Sequence, residues 1–187
     1  MSKKKKRLEP DTPEEVIKLH RRQLANKEEI HSFFQRMVLV LLLFWILFGV
    51  IFGIKPMANG DMAPRISAGD LMLFYRLDKK ISSSDVVIFK KEGKWYTGRV
   101  VARAGDSVEI TEDSELKVNG SIVIENDIYY KTPRYETEIE YPLTLADDQY
   151  FILCDYREGA KDSRYFGAVS KKEIKGKVIT VIRRSGI

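Results

Sequence analysis

The hydrophobic and polar positions give the chain three textures. Residues 37–54 (MVLVLLLFWILFGVIFGI) run for 18 positions without a charge. Such a run makes a helix about 27 Å long, enough for a hydrocarbon core of roughly 30 Å, and it leaves no face for water. Phe33 and Phe34 lengthen the apolar reach past Arg36, whose long side chain can snorkel to the interface. The spacing therefore predicts one transmembrane helix over 37–54. A cleaved export signal fits less well. Thirty-six residues precede the run, no A-x-A follows it (the nearest candidate is Pro56-Met57-Ala58), and the run exceeds the usual stretch of about 7–15. The expectation is an uncleaved anchor.

Residues 1–36 form a basic lead-in. Residues 1–10 are polybasic and suited to touching anionic lipid. Thr12-Pro13-Glu14-Glu15 then reads as a helix start, with Thr12 as N-cap, Pro13 in the first turn and Glu15 closing a capping box. The helix is expected to run through Gln23 and Glu29 toward the span, with His20 and His31 as polar surface residues on it. After Lys55 the pattern changes to short alternating or β-branched runs. Those at 71–75, 86–89, 95–101, 108–110, 122–124, 150–153 and 177–182 read as strands, and Asn119-Gly120 marks a hairpin. Helical period is absent here, apart from a turn near 170–174. The fold class is mostly β: a β domain over 55–187 behind a single N-terminal transmembrane helix.

Composition changes the picture in two places. Lys and Arg number 32 and Asp and Glu 27, a net charge of +5, which by itself suggests nucleic acid or membrane. Residues 1–36, however, hold ten of the bases against six acids, which is +4 and leaves +1 for 37–187. A nearly neutral body argues against a nucleic-acid-binding domain and for the membrane as partner. Lys18, Arg21, Arg22, Lys27 and Arg36 precede the span closely, while Lys55 and Arg65 follow it. The positive-inside bias thus places the N-terminus in the cytoplasm and the β domain outside the cell membrane. Cys154 is the only cysteine and His20 and His31 are the only histidines. These exclude an intrachain disulfide and leave little for a zinc or histidine metal centre, so no metal or cofactor is expected. An exported domain without a disulfide suits Gram-positive surface proteins.

The outer domain has no histidine, which excludes Ser-His and Cys-His catalysis and leaves a Ser-Lys dyad or a carboxylate site. Four segments narrow this. Gly60-Asp61-Met62-Ala63-Pro64-Arg65-Ile66 with Gly69-Asp70 resembles the G-S-M-x-P-T-L…G-D box of type I signal peptidases. Ser84-Asp85-Val86-Val87-Ile88-Phe89 is similar to the family's G-D-x-V-V-F strand. The stretch from Gly98-Arg99-Val100 to Gly105-Asp106 resembles K-R-V-I-G-L-P-G-D. Cys154-Asp155-Tyr156-Arg157 followed by Ala160-Lys161-Asp162-Ser163-Arg164-Tyr165-Phe166-Gly167 resembles G-D-N-R-x-x-S-x-D-S-R-x-F-G. The boxes stand in family order over residues 37–183.

The resemblance implies a serine nucleophile, a lysine general base and a serine that orients the lysine. Those positions here hold Asp61, Gly98 and Ala160. Glycine cannot take a proton, a carboxylate is a weak nucleophile toward an amide, and the guanidinium of Arg99 stays protonated. Loss of a whole dyad leaves little beyond binding and residual oxyanion stabilisation, so peptidase activity is not expected. The resemblance further implies that Asn59 and the backbone N–H of Asp61 stand where oxyanion donors would be. By the same resemblance Asn59, Gly60, Asp61, Met62 and Pro64 line a cleft, Arg99 and Asp155 pair beneath it, and Asp162, Ser163 and Arg164 brace the adjacent loop. Asp61 should take a donor such as Lys161 or Arg65, or have its pKa raised by burial. Cys154, at a family glycine, reads as a small buried residue. A rescue base could come only from Lys161 or Lys94.

The pairing of Asp61 with Gly98 is similar to that in signal-peptidase-like accessory proteins of Gram-positive pilus clusters. That likeness implies a chaperone-like role in sortase-dependent pilus assembly, with pilin precursors, sortase or both as partners. An alternative is a signal peptidase with a relocated dyad, such as Ser163 with Lys161. A third, a repressor of the related Ser-Lys autoprotease fold, is discouraged by the span and by the missing basic DNA-reading domain. The sequence sets no oligomeric state.

Overall fold

The computed structural model describes residues 12–78, 80–126 and 128–183. The polybasic lead over 1–10 and the side chain of Glu15 lie outside what is described. Helix α1 spans Pro13–Trp45, and its first turn closes with Val16 N–H donating to Thr12 O at 3.2 Å, so Thr12 and Pro13 occupy the expected starting positions. The helix continues as a π-helical segment over Ile46–Ile51. This is one helix long and apolar enough to cross a membrane.

The end of the predicted span is corrected. Phe52, Gly53 and Ile54 are not helical but open strand β1 (Phe52–Pro56), which pairs antiparallel with β2 (Leu71–Tyr75), Ile54 opposite Leu73. An uncharged run does not by itself separate helix from buried strand. Here Gly53 decides: it lies flat against the ring of Phe74, and a Cβ at that position would overlap the ring. The helix from Phe33 to Ile51 still reaches about 28 Å with Arg36 as its only charge.

The β domain contains two antiparallel sheets. The first runs β1-β2-β11-β3-β4-β9-β10, with β3 at Val86–Lys91, β4 at Lys94–Arg103, β9 at Gln149–Leu153, β10 at Val169–Ser170 and β11 at Ile174–Ile182. The second runs β7-β6-β5-β8, with β5 at Ser107–Ile110, β6 at Leu116–Val118, β7 at Ser121–Ile122 and β8 at Leu143–Thr144. Asn119 and Gly120 form the β6–β7 turn at φ 53° and 78°, left-handed values that a two-residue hairpin requires. The strand expected over 122–124 stops at Ile122, and Ile124 is 84% exposed. The turn near 170–174 joins β10 to β11. One four-residue helix, α2 (Ser163–Phe166), carries no sequence signal of period, being a single turn capped by Asp162.

The core that matters for function gathers Met57, Met62, Ile66, Met72, Phe74, Ile88, Cys154 and Ala160. It brings together the loop after β1, the start of β2, and the loop after β9. An irregular strap, described over 123–126 and 128–142, lies between β7 and β8 and is fastened to that last loop and to α2 by two fully buried arginines. Arg157 donates to Cys154 O at 2.7 Å, to Thr132 Oγ1 at 2.8 Å and to both oxygens of Glu125 at 2.8 Å. Arg164 donates to Arg157 O at 2.7 Å and Pro133 O at 3.2 Å, and its guanidinium lies 4.3 Å over the Tyr135 ring.

Candidate functional site

The loop after β1 turns back on itself at Asn59 and Gly60, through Ala63 N–H donating to Gly60 O and Ile66 N–H to Met62 O. This places Met62 in the core at 0% exposure, leaves Pro64 exposed, and sets Asp61 half-buried between them. The loop after β9 is tied to the same point, because Tyr156 N–H donates to Asp61 O at 2.9 Å. The structure thus brings Asn59, Asp61, Met62, Cys154 and Ala160 into one neighbourhood, Met62, Cys154 and Ala160 sharing the same core.

Each group that resembles a catalytic one is spent on something else. Asn59 Nδ2 donates to Asp61 Oδ2 at 2.7 Å, and Asp61 N–H returns a bond to Asn59 Oδ1 at 3.3 Å. The two positions expected to hold oxyanion donors therefore satisfy one another in a closed ring. The donor given to Asp61 is Asn59 rather than Lys161, whose ammonium instead lies 4.5 Å over the Tyr165 ring. Burial pushes the Asp61 pKa up, the Asn59 bond pulls it partly back, and the negative charge of Asp162 pushes it up again.

The position at which the resemblance expects a base is closed to a side chain. Gly98 is buried on β4 opposite Val87, and a Cβ there would stand 2.6 Å from Ile152 Cγ2 and 3.1 Å from Leu153 O. The branched methyl of a fully buried isoleucine cannot swing away as the tip of a lysine could. Lys94 begins the same strand four residues earlier, about 13 Å away along the chain, so it does not reach.

Ser163 fails as a substitute nucleophile. It is 0% exposed and its Oγ accepts from Ile152 N–H at 3.0 Å, which removes the relocated pair with Lys161. Cys154 is buried as expected. Its thiol pKa is pushed well above the ordinary value by burial first and by the charges of Asp162 and Asp61 next, so it stays protonated and inert.

The supporting residues are joined. Arg99 and Asp155 form a two-pronged ion pair, Nε to Oδ1 at 2.8 Å and Nη2 to Oδ2 at 2.6 Å, while Arg99 Nη1 donates to Ser84 O. Asp162 accepts from Cys154 N–H, Arg164 N–H, Arg164 Nε and Arg164 Nη2. Two contributors escaped the sequence reading. Tyr135 sits on the strap, donating to Ala160 O at 3.0 Å and accepting from Gly159 N–H at 3.2 Å, so it covers the position of the lost orienting serine. Arg157 lies within a motif, yet its partners are set by a segment 25 to 32 residues upstream. Among the described residues no group of three or more His, Cys, Asp and Glu could hold a metal ion.

Asp61→Asn is expected to stabilise the fold at pH 7. A carboxyl whose folded pKa is raised contributes most below its unfolded value, about 3.9, and its contribution falls as pH rises through the folded value. The amide has no such loss and can still accept from Asn59. Thermal unfolding at several pH values should show a gain in Tm for the variant at neutral pH that closes by about pH 3.5. A gain that is constant with pH would contradict the assignment.

Comparisons with known proteins identify the family. Residues 30–182 match the family described as signal peptidase, peptidase S26. An inactive signal peptidase IA of Staphylococcus aureus is 22% identical over 149 residues, covering 76% of this chain and 84% of the relative. The signal peptidase I of Pseudomonas aeruginosa is 27% identical, covering 92% and 77%. A crystal structure of a signal peptidase I from Enterococcus faecalis V583 is 29% identical and covers 55% of this chain and 98% of that one, with a TM-score of 0.45. With the boxes in order, the β fold behind one apolar helix and a family match over most of its length, the chain belongs to the signal peptidase family, peptidase S26.

Proposed function

We propose that this chain is a catalytically silent, membrane-anchored member of the family, one that holds an exported precursor instead of cutting it. The observation that carries this reading is the closed position at Gly98 against Ile152, together with an Asp61 already engaged by Asn59. Glycine stands where the resemblance places the lysine base, and the position of the serine nucleophile holds Asp61, whose carboxylate is already engaged by Asn59. The name of the S. aureus relative, an inactive signal peptidase, supports the same reading. On this reading an extended peptide binds by adding to a sheet edge beside the exposed Asn59, Gly60 and Pro64, without being cut.

The cargo we propose is pilin precursor, sortase or both, in a chaperone-like step of sortase-dependent pilus assembly. The similarity of the Asp61 and Gly98 pairing to accessory proteins of Gram-positive pilus clusters supports this. The distribution of basic residues supports a cytoplasmic N-terminus and an extracytoplasmic β domain in the cell membrane. Full-length protein in lipid, incubated with the signal-peptide region of a pilin precursor, is expected to give no cleavage above the rate without protein. Turnover by the wild type would overturn the silent-site reading. Separately, unchanged pilin polymer in a strain lacking the gene would overturn the pilus assignment and leave the first reading standing.

A further inference from the structure

The end of the apolar helix is tied to the β domain by Arg76. Its backbone N–H donates to Ile51 O at 2.9 Å, the carbonyl that closes the helix, and its Nε donates to Phe52 O at 3.1 Å. A guanidinium held there stands where a spanning helix leaves hydrocarbon and headgroup phosphates begin. Two lysines extend the positive charge along one face of the first sheet. The Arg76 guanidinium lies 5.0 Å over the Phe74 ring, Gly53 backs onto the same ring, and Lys55 follows Gly53 on that side of β1. Lys55 Nζ in turn lies 4.8 Å over the ring of Trp95, and Lys90 stands directly opposite Trp95 in the β3–β4 ladder. Arg76, Lys90 and Trp95 are all exposed.

Among the described residues no acid pairs with Lys55, Arg76 or Lys90. The opposite face of the same strands is neutralised, since Lys91 meets Glu173 at 3.1 Å and Lys177 meets Asp85 at 2.9 Å. The surplus charge is thus one-sided, and its place in the chain says what it faces. Lys55 follows Ile51 by four residues, which keeps it within about 14 Å of the helix end, and its long stem can snorkel back toward that depth. An indole beside a lysine is also the pairing that settles at a membrane–water boundary. We propose that Arg76, Lys55 and Lys90, with Trp95 beside both lysines, bind the phosphate of an anionic phospholipid in the leaflet that the helix leaves at Ile51. The proposal rests on the membrane-anchored reading above and is independent of the silent catalytic site.

The chain has two tryptophans, Trp45 and Trp95, so Trp45→Phe leaves Trp95 as the only indole. That full-length chain would be reconstituted in phosphatidylcholine vesicles carrying a small fraction of lipid with a nitroxide at the top of its acyl chain. The labelled lipid is phosphatidylglycerol in one series and phosphatidylcholine in the other. Labelled phosphatidylglycerol is expected to quench Trp95 at a mole fraction at least ~10-fold lower, because each nearby cation favours an anionic headgroup by roughly fivefold. Lys55→Gln together with Lys90→Gln should cut this preference at least ~5-fold, and Lys90→Gln alone, at an exposed position, should lower it in an unchanged fold. Equal quenching by the two lipids, or an undiminished preference in the double variant, would overturn the proposal. So would a Trp95 quenched by neither lipid whose emission shifts only with a soluble glutamate-rich peptide; that result would give this face to an acidic protein partner. Trp45 in a Trp95→Phe chain keeps the two readings apart. Quenched by both labelled lipids, it places the helix in the bilayer whatever Trp95 reports; quenched by neither, it would overturn the anchor and this proposal with it.

Discussion

Replacing Asp162 by alanine is expected to remove about 3–5 kcal/mol of stability, because it leaves the guanidinium of Arg164 buried without its counter-charge. Both side chains of this pair are at 0% exposure, and the Nη2 to Oδ2 distance is 2.8 Å. Asp162 also caps α2 through Arg164 N–H and accepts from Cys154 N–H, so two further donors lose their acceptor. Against a typical total of about 5–15 kcal/mol, this is a large fraction of the fold. Denaturant unfolding of the full chain in detergent, followed by circular dichroism, measures it; a loss below about 1 kcal/mol would show that the pair carries no such burden. The strap should report the change as well. Arg164 holds Pro133 O and stacks on Tyr135, so limited proteolysis of Asp162→Ala is expected to nick within 123–142 while the wild type resists. Adding Arg164→Met to Asp162→Ala should recover part of the loss, since removing both charges ends the penalty of an unpaired one.

How much of this could be read from the chain depends on how far apart the determining residues lie. The strands at 71–75 and 150–153 are legible because β-branched and aromatic runs declare a half-buried or buried sheet locally. Asn119-Gly120 is legible for the same reason: its turn is decided by two adjacent residues. The boundary at Phe52 is not, since the ring that excludes a side chain at Gly53 belongs to Phe74, on the next strand. The resemblance implies that Arg99 pairs with Asp155, and the two do pair; that Asp162 and Arg164 brace their loop by pairing with each other is shown only by the structure. The strap announces nothing. Its run of 20 residues has no regular period, and what fixes it is the reach of Arg157 and Arg164 toward particular carbonyls and hydroxyls. The most consequential fact about the site was equally hidden. A glycine at position 98 reads as a missing lysine, but that the space is taken by Ile152 is a property of strand pairing across more than fifty residues.

That distinction leads to a sharp expectation under the silent-site reading proposed above. Restoring the three family side chains through Asp61→Ser, Gly98→Lys and Ala160→Ser should leave cleavage of a precursor signal peptide at background. The lysine stem would have to enter where Ile152 Cγ2 stands 2.6 Å from its Cβ, and overpacking of a filled core commonly costs about 1–3 kcal/mol with displaced backbone. A base moved by about an ångström no longer meets its nucleophile, a misplacement on the order of 100-fold in rate. Adding Ile152→Ala removes the obstructing methyl. The cavity it creates would alone cost about 2–5 kcal/mol, but here the lysine stem fills part of it, so the fourth change should be less destabilising in the triple background than in the wild type. The fourfold variant is therefore the one expected to cleave, with the triple variant at least about 100-fold slower. The assay uses full-length proteins in lipid, with Tm measured on each. Equal activity in the triple and fourfold variants would show that Ile152 is no barrier and that the site was lost by substitution alone. Inactivity of both with an intact fold would place the defect elsewhere, at the ring in which Asn59 holds residue 61 or under the cover that Tyr135 sets over residue 160.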